Sequence, residues 1–92
     1  MLVLDSPFFI EDRSLDDERA LSTPGVRDEL EDASRFRFDA VVGEGMRVET
    51  PSEESVTVVY EAARETGDAS VLSDVDARLV ALAYEEDATL VT

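Results

Sequence analysis

The first five residues constrain the fold most strongly. Met1 to Leu4 form an uninterrupted apolar run that is too short for a helix, and Asp5 follows it directly. Such a run is typical of a strand that is buried on both faces of a parallel sheet. Asp5 then stands at the carboxyl end of the strand, where open α/β sheets bind their ligands. An acid there can equally cap the next helix, so both roles of Asp5 are open at this point.

Each of the three prolines directly follows a hydroxyl residue. A Ser or Thr at the N-cap with Pro at the first helical position is a strong helix-start signal, because Pro lacks the N–H that would be unpaired there. At the third start, Glu53 would complete a capping box with Thr50. Three helix starts are therefore predicted at Ser6-Pro7, Thr23-Pro24 and Thr50-Pro51.

Apolar spacing and turn residues place the remaining elements. The most regular helix has apolar residues at Val56, Val59, Tyr60 and Ala63, and Gly67 ends it. In chain order we predict strand Met1–Leu4, helix Pro7–Asp12, an exposed connection Glu11–Ser22, helices Pro24–Asp32 and Ala33–Val42, strand Met46–Glu49, helix Pro51–Thr66, a helix that Ser73 caps and that ends near Glu86, and strand Ala88–Thr92.

This alternation of strands and helices predicts an α/β fold. Parallel strands need right-handed crossovers, and helices then cover both faces of the sheet. With 92 residues, the chain is long enough for one small domain, which we place at residues 1–92. We expect a three-layer α/β/α domain with a central parallel sheet.

Cys and His, two residue types that often carry chemistry, are missing from the composition. The chain has no Cys and no His, which excludes disulfides, zinc sites of the usual ligand types, cysteine nucleophiles and imidazole bases. Any chemistry must then be carried by carboxylates or hydroxyls. There is also no membrane-length apolar run and no signal peptide before the first strand, so we expect a cytoplasmic protein without a membrane partner.

The charge is strongly negative. Asp and Glu number 23 against 8 basic residues, all of them Arg, which gives a net charge of −15. Such a chain repels itself unless salt screens it, and the Debye length falls to about 3 Å at 1 M salt. We therefore expect a protein from a salt-accumulating halophile, and the net charge does not exclude an RNA partner.

Three acids occupy places suited to a metal site. Asp5 lies at a strand end, Glu29 beside the apolar face of a helix, and Asp76 in the first turn of the last helix. Carboxylates without His favour hard cations such as Mg²⁺ or Mn²⁺, and the matching chemistry is phosphodiester hydrolysis. Spacing alone leaves other roles open, because Glu29 can be a solvated acid and Asp76 can belong to a capping box with Ser73.

Five segments, in order along nearly the whole chain, resemble a PIN-domain nuclease. The closest subfamily is the archaeal endoribonuclease, in its halophilic form, that matures the 3′ end of small-subunit ribosomal RNA. The segments are Asp5-Ser6 after the first strand, Thr23-Pro24-Gly25-Val26-Arg27-Asp28-Glu29-Leu30, Glu65-Thr66-Gly67-Asp68, Leu72-Ser73-Asp74-Val75-Asp76 with the following Val80-Ala81-Leu82-Ala83, and Ala88-Thr89-Leu90-Val91-Thr92.

The resemblance implies roles for named residues. Asp5, Glu29 and Asp76 match three acids that bind Mg²⁺ or Mn²⁺ and carry catalysis in PIN nucleases, and Ser6 matches the hydroxyl residue beside the first of them. The family's fourth acid would come immediately after Thr92. The last strand and helix of the PIN fold and the zinc ribbon of the subfamily are also absent, so we expect a domain truncated at its C-terminus.

The resemblance leaves three functions open. The first is a metal-dependent endoribonuclease domain that acts on precursor ribosomal RNA in the small subunit. The second is a VapC-type toxin ribonuclease, which would form a homodimer and cleave tRNA or mRNA. The third is a truncated domain without catalytic activity, for which the missing fourth acid argues.

Overall fold

The computed structural model describes residues 1–67 and 69–92. The predicted turn at Glu65-Thr66-Gly67-Asp68 therefore lies partly outside the described residues. The strands are β1 (Leu2–Leu4), β2 (Ala20–Ser22), β3 (Arg47–Val48) and β4 (Thr89–Val91). The α-helices are α1 (Ser6–Ile10), α2 (Pro24–Glu29), α3 (Asp32–Gly43), α4 (Glu53–Thr66) and α5 (Asp74–Glu85), with a 3₁₀ turn at Ala69–Val71.

The four strands form one parallel sheet in the order β3-β2-β1-β4. Successive connections step from β1 to β2 to β3, and the last connection returns to the other side of β1. Right-handed crossovers then place α1, α2 and α3 on one face and α4 and α5 on the other. Phe9 and Phe38 join α1 to α3, with ring centroids 4.9 Å apart. The predicted α/β architecture with a central parallel sheet is confirmed.

The prediction of an exposed connection over Glu11–Ser22 was wrong at its end. Ala20, Leu21 and Ser22 form β2, which is buried throughout and lies between β1 and β3. Three residues without a β-branched side chain carry little local strand preference, so pairing with both neighbours decides the conformation. The buried Ser22 hydroxyl is satisfied because it donates to Leu4 O at 2.8 Å.

Two of the three predicted helix starts need correction. Helix α1 is capped by Asp5 and not by Ser6, because the Asp5 carboxylate accepts a hydrogen bond from Ser6 N. Helix α4 is capped by Ser52, so the predicted Thr50 cap and its capping box with Glu53 do not form. The Ser52 backbone N–H donates to Glu85 Oε1 at 2.8 Å, and this contact with α5 favours Ser52 as the cap.

The other helix ends agree more closely with the prediction. Thr23 caps α2 and Ser73 caps α5 through their hydroxyls, and Gly67 ends α4 with a left-handed φ of 80°. Helix α2 stops at Glu29, before the predicted Asp32, because Leu30 turns to extended backbone and is buried. Among the described residues, no helix is long and apolar enough to cross a membrane.

Candidate active site

Asp5 lies at the point in the sheet where the chain order of the strands reverses, between β2 and β4. It follows β1, whose neighbours are β2 and β4, and its backbone N–H donates to Val91 O at 3.1 Å. The crevice outside the carboxyl ends of such strands is the usual ligand position in open α/β sheets. The half-buried Asp5 also accepts from Ser6 N through Oδ1 at 2.6 Å. Asp5 therefore caps α1 with one oxygen, and Oδ2 has no hydrogen-bond partner among the described residues.

Ser6 links Asp5 to Glu29. Its hydroxyl donates to Glu29 Oε2 at 3.1 Å, across 23 positions of sequence. Glu29 is the last residue of α2 and is exposed. The helix is fixed at its start by the Thr23 cap and by the buried Val26, so Glu29 is held over the start of α1. Asp5, Ser6 and Glu29 thus form one continuous cluster, which we call the carboxylate cluster.

Asp76 lies at the same edge of the sheet but outside the carboxylate cluster. Its backbone N–H donates to Ser73 Oγ at 3.0 Å, and its side chain is exposed. The start of α5 packs closely against α2: a Cβ on Gly25 would lie 3.2 Å from Val75 Cγ2. Even so, no three acidic side chains of the described chain come close enough together to hold a metal ion.

The oxygen atoms that could bind a metal ion nevertheless suit a hard divalent cation. The carboxylate cluster offers only carboxylate and hydroxyl oxygens, which Mg²⁺ and Mn²⁺ prefer over zinc-type ligands. Within residues 1–67 and 69–92, no Arg forms an ion pair with Asp5, Glu29 or Asp76. The structure thus brings two of the three predicted ligands together, and the ligand roles of all three stay predictions.

The sequence did not identify the residues that support the cluster from β2. Ser22 ties the end of β2 to Leu4, the residue directly before Asp5, through the 2.8 Å hydrogen bond of its hydroxyl. Thr23 then starts α2 from the same edge. The adjacent hydroxyls of Ser22 and Thr23 were the available signal, but only the strand assignment of β2 gives them this position.

Comparisons with known proteins agree on a nuclease family. The family model described as "PIN domain of ribonuclease" matches residues 2–85. "Endoribonuclease Nob1" of Pyrococcus abyssi is 42% identical over 86 residues, which cover 91% of this chain and 52% of the relative.

Two further relatives carry similar names. "RNA-binding NOB1-like protein" of Arabidopsis thaliana is 37% identical over 89 residues, covering 94% of this chain and 15% of the relative. "Endoribonuclease Nob1" of Archaeoglobus fulgidus is 44% identical over 61 residues, covering 66% and 35%. The chain therefore spans about half or less of the length of these relatives.

Proposed function

Since the chain belongs to the PIN-domain ribonuclease family, we propose that it is an endoribonuclease domain that hydrolyses RNA phosphodiester bonds in ribosomal RNA maturation. PIN nucleases generally need a divalent metal. The names of the relatives support an RNA substrate, and the proposal extends this to precursor RNA of the small ribosomal subunit. The charge of −15 supports a cytoplasm of high salt content as the working environment.

The carboxylate cluster is the observation that carries the proposal. Asp5 and Glu29 would hold Mg²⁺ or Mn²⁺ with Asp76 as a third ligand. The ion would supply charge stabilisation at the phosphate and a water of lowered pKa. Ser6 donates to Glu29 at 3.1 Å and so fixes the direction of that carboxylate. The Ser6 N–H likewise fixes Asp5, which leaves Asp5 Oδ2 available.

The position of the carboxylate cluster at the carboxyl edge of the sheet also supports catalysis there. The carboxylate cluster opens to solvent through the exposed Glu29, so an RNA strand could reach it. Because β1, β2 and β4 all end here, the backbone beneath the cluster is held by sheet hydrogen bonds. Rigid placement of charged groups is what metal-assisted hydrolysis requires from the protein.

The test measures metal binding and cleavage separately. Mn²⁺ is titrated into the chain by calorimetry, and cleavage of a single-stranded RNA is followed over the same Mn²⁺ range. We expect Asp5→Asn to lose both binding and cleavage. Asp16→Asn is the matched control, because Asp16 is an exposed acid without an ion pair in the described structure. Cleavage that persists in Asp5→Asn would overturn the assignment of the carboxylate cluster as the catalytic site. Mn²⁺ binding without any cleavage by the unmodified chain would overturn the proposed ribonuclease activity and favour a domain without catalytic activity.

A further inference from the structure

A groove runs along the protein between the α1–β2 connection and the C-terminal part of α3. It consists of three adjoining cavities of about 330, 280 and 250 Å³. The first two share Leu15, Val41 and Glu44, and the last two share Arg19 and Gly45. We call this continuous feature the arginine groove, because four of the eight arginines of the chain line it: Arg13, Arg37, Arg19 and Arg47.

The charge of the arginine groove differs from that of the rest of the protein. Its four arginines are matched by four acids, which are Asp12, Asp17, Glu18 and Glu44. The lining side chains thus sum to zero, and with Glu11 and Glu49, which pair with Arg13 and Arg47, the groove carries only −2 of the net charge of −15. A polyanion that approaches the groove therefore meets less repulsion than the average charge of the remaining residues would give.

At one end of the groove, Arg13 reaches the sheet edge that carries the candidate active site. Arg13 Nη2 donates to Thr92 O at 3.4 Å, directly after β4. The preceding residue, Val91, accepts a hydrogen bond from Asp5 N at 3.1 Å. The Arg13 guanidinium is therefore at the same sheet edge as the carboxylate cluster. At the other end, Arg19 comes directly before β2 and Arg47 begins β3, so the groove crosses to the amino edge of the sheet.

Three of the four arginines can take a new partner. Arg37 is committed, because it donates to Phe9 O at 2.7 Å and to Ile10 O at 3.2 Å and so holds α1 against α3. Within the described residues, the contacts of Arg13 are long, at 3.4 Å to Glu11 and to Thr92 O. Arg19 has no ion pair in the described chain, and Arg47 is 61% exposed despite its contact with Glu49. Arginine forks of this kind suit phosphate oxygens.

The groove offers little to bases. Phe8 and Phe9 line it but are only 4% and 1% exposed, so neither ring presents a face for stacking. Contacts would then fall on the sugar–phosphate backbone, which carries no sequence information. Resting on the proposed ribonuclease function, we propose that the arginine groove binds the backbone of single-stranded RNA that continues away from the carboxylate cluster, without sequence preference.

The test uses the salt dependence of RNA binding. Affinity for a labelled oligouridylate of about 12 nucleotides, within the range of single-strand footprints, is measured against salt concentration in EDTA. The slope of log K against log salt is negative, and each lost phosphate contact reduces its magnitude by about 0.7 for single strands. We expect that decrease in Arg19→Gln and in Arg47→Gln, and about 1.4 in the double variant.

Arg64→Gln is the matched control. Arg64 is exposed on α4, away from the groove, and the variant changes the net charge by the same amount. An equal loss in Arg64→Gln, or unchanged slopes in the groove variants, would overturn the proposal. A thermal melt of each variant confirms that it is folded.

Asp5→Asn separates this proposal from the proposed function. We expect it to bind the longer RNA with the slope of the unmodified chain while cleavage is lost. If Asp5→Asn still cleaves RNA while binding depends on Arg19 and Arg47, the catalytic role of Asp5 is wrong and the RNA-binding role of the groove stands. If Asp5→Asn loses cleavage but the salt dependence of RNA binding is unchanged in the Arg19 and Arg47 variants, the proposed RNA-binding role of the groove is wrong and the proposed ribonuclease function stands.

Discussion

Acids in two regions of this protein are held in opposite ways. On α2 and α3, Arg27 binds Asp39 with two hydrogen bonds, at 2.8 and 2.9 Å, and this contact lowers the pKa of Asp39. In the carboxylate cluster, Asp5 and Glu29 instead accept from the N–H and the O–H of Ser6, which are neutral donors.

The difference shows how a chain with 23 acids can keep a few of them unpaired with Arg, so that they remain available to a cation. An acid paired with Arg has its charge compensated and contributes to structure. An acid oriented by neutral donors has no neighbouring cation that compensates its charge, so a metal ion can take that place. The second case arises at the carboxyl edge of the sheet, the usual ligand position in open α/β sheets, and this is the contrast on which the proposed role of Asp5 and Glu29 depends.

The largest expected effect tests this contrast directly. A cation that binds only the folded chain raises the free energy of unfolding by about 2.7 kcal/mol at 100 times its Kd. We expect Mn²⁺ to stabilise the unmodified chain and Asp39→Asn alike, and to give no stabilisation in Asp5→Asn or Glu29→Gln. Urea unfolding with and without Mn²⁺ measures this. Equal Mn²⁺ stabilisation in all four proteins would contradict the contrast.

Asp76→Asn should have a smaller but clear effect. Asp76 lies on the neighbouring helix α5 and does not join the carboxylate cluster, so its carboxylate would complete a site that Asp5 and Glu29 begin. We expect the affinity for Mn²⁺ to fall at least about 10-fold, since even a residue that only supports a metal ligand contributes about 10- to 100-fold. Calorimetric titration checks this, and Asp74→Asn serves as the control on the same helix turn. An unchanged affinity for Mn²⁺ in Asp76→Asn would show that Asp76 is not a metal ligand.

Ser6→Ala should cost about tenfold in Mn²⁺ affinity. The substitution removes the 3.1 Å hydrogen bond to Glu29 and leaves the Ser6 N–H that binds Asp5. Helix α1 keeps its cap, so the melting temperature without metal should change little. The same Mn²⁺ titration, together with a thermal melt in EDTA, separates the two effects. A large loss of stability in EDTA with normal Mn²⁺ affinity would assign Ser6 a purely structural role.

The smallest expected effect is on the pH dependence of stability. It concerns Glu85, an acid on α5 that accepts a hydrogen bond from the start of α4. The Ser52 backbone N–H, with the Ser52 and Ser55 side chains, holds the pKa of Glu85 below its ordinary value. Since the folded pKa is the lower one, this stabilisation is complete above the ordinary value of about 4.3 and is lost as pH falls through the folded pKa. Glu85→Gln should therefore lose stability less steeply than the unmodified chain when urea unfolding is followed as the pH is lowered below about 4.3.

Glu61→Gln is the control for that measurement. Glu61 is exposed on α4 and makes no ion pair in the described structure. Its pH profile should follow that of the unmodified chain. Parallel profiles for Glu85→Gln and Glu61→Gln would show that the contact between α4 and α5 contributes nothing to the acid response.

Local signals predicted most of the fold because they act within a few residues. The apolar run before Asp5, the caps at Thr23 and Ser73, and Gly67 after α4 each depend on chemistry that is complete in the sequence. Membership in the PIN family also followed from ordered motifs along the chain and is confirmed by the match over residues 2–85.

Other features needed contacts between distant residues. Strand β2 forms because β1 and β3 pair with it on both sides, and α4 starts after Ser52 because Glu85 binds the backbone there. The three candidate acids were chosen from the sequence, but only the packing of α2 over α1 joins Glu29 to Ser6 and leaves Asp76 apart. Sequence determines which side chains can bind a metal, whereas tertiary packing decides which of them meet, since helix placement depends on contacts that local spacing does not encode.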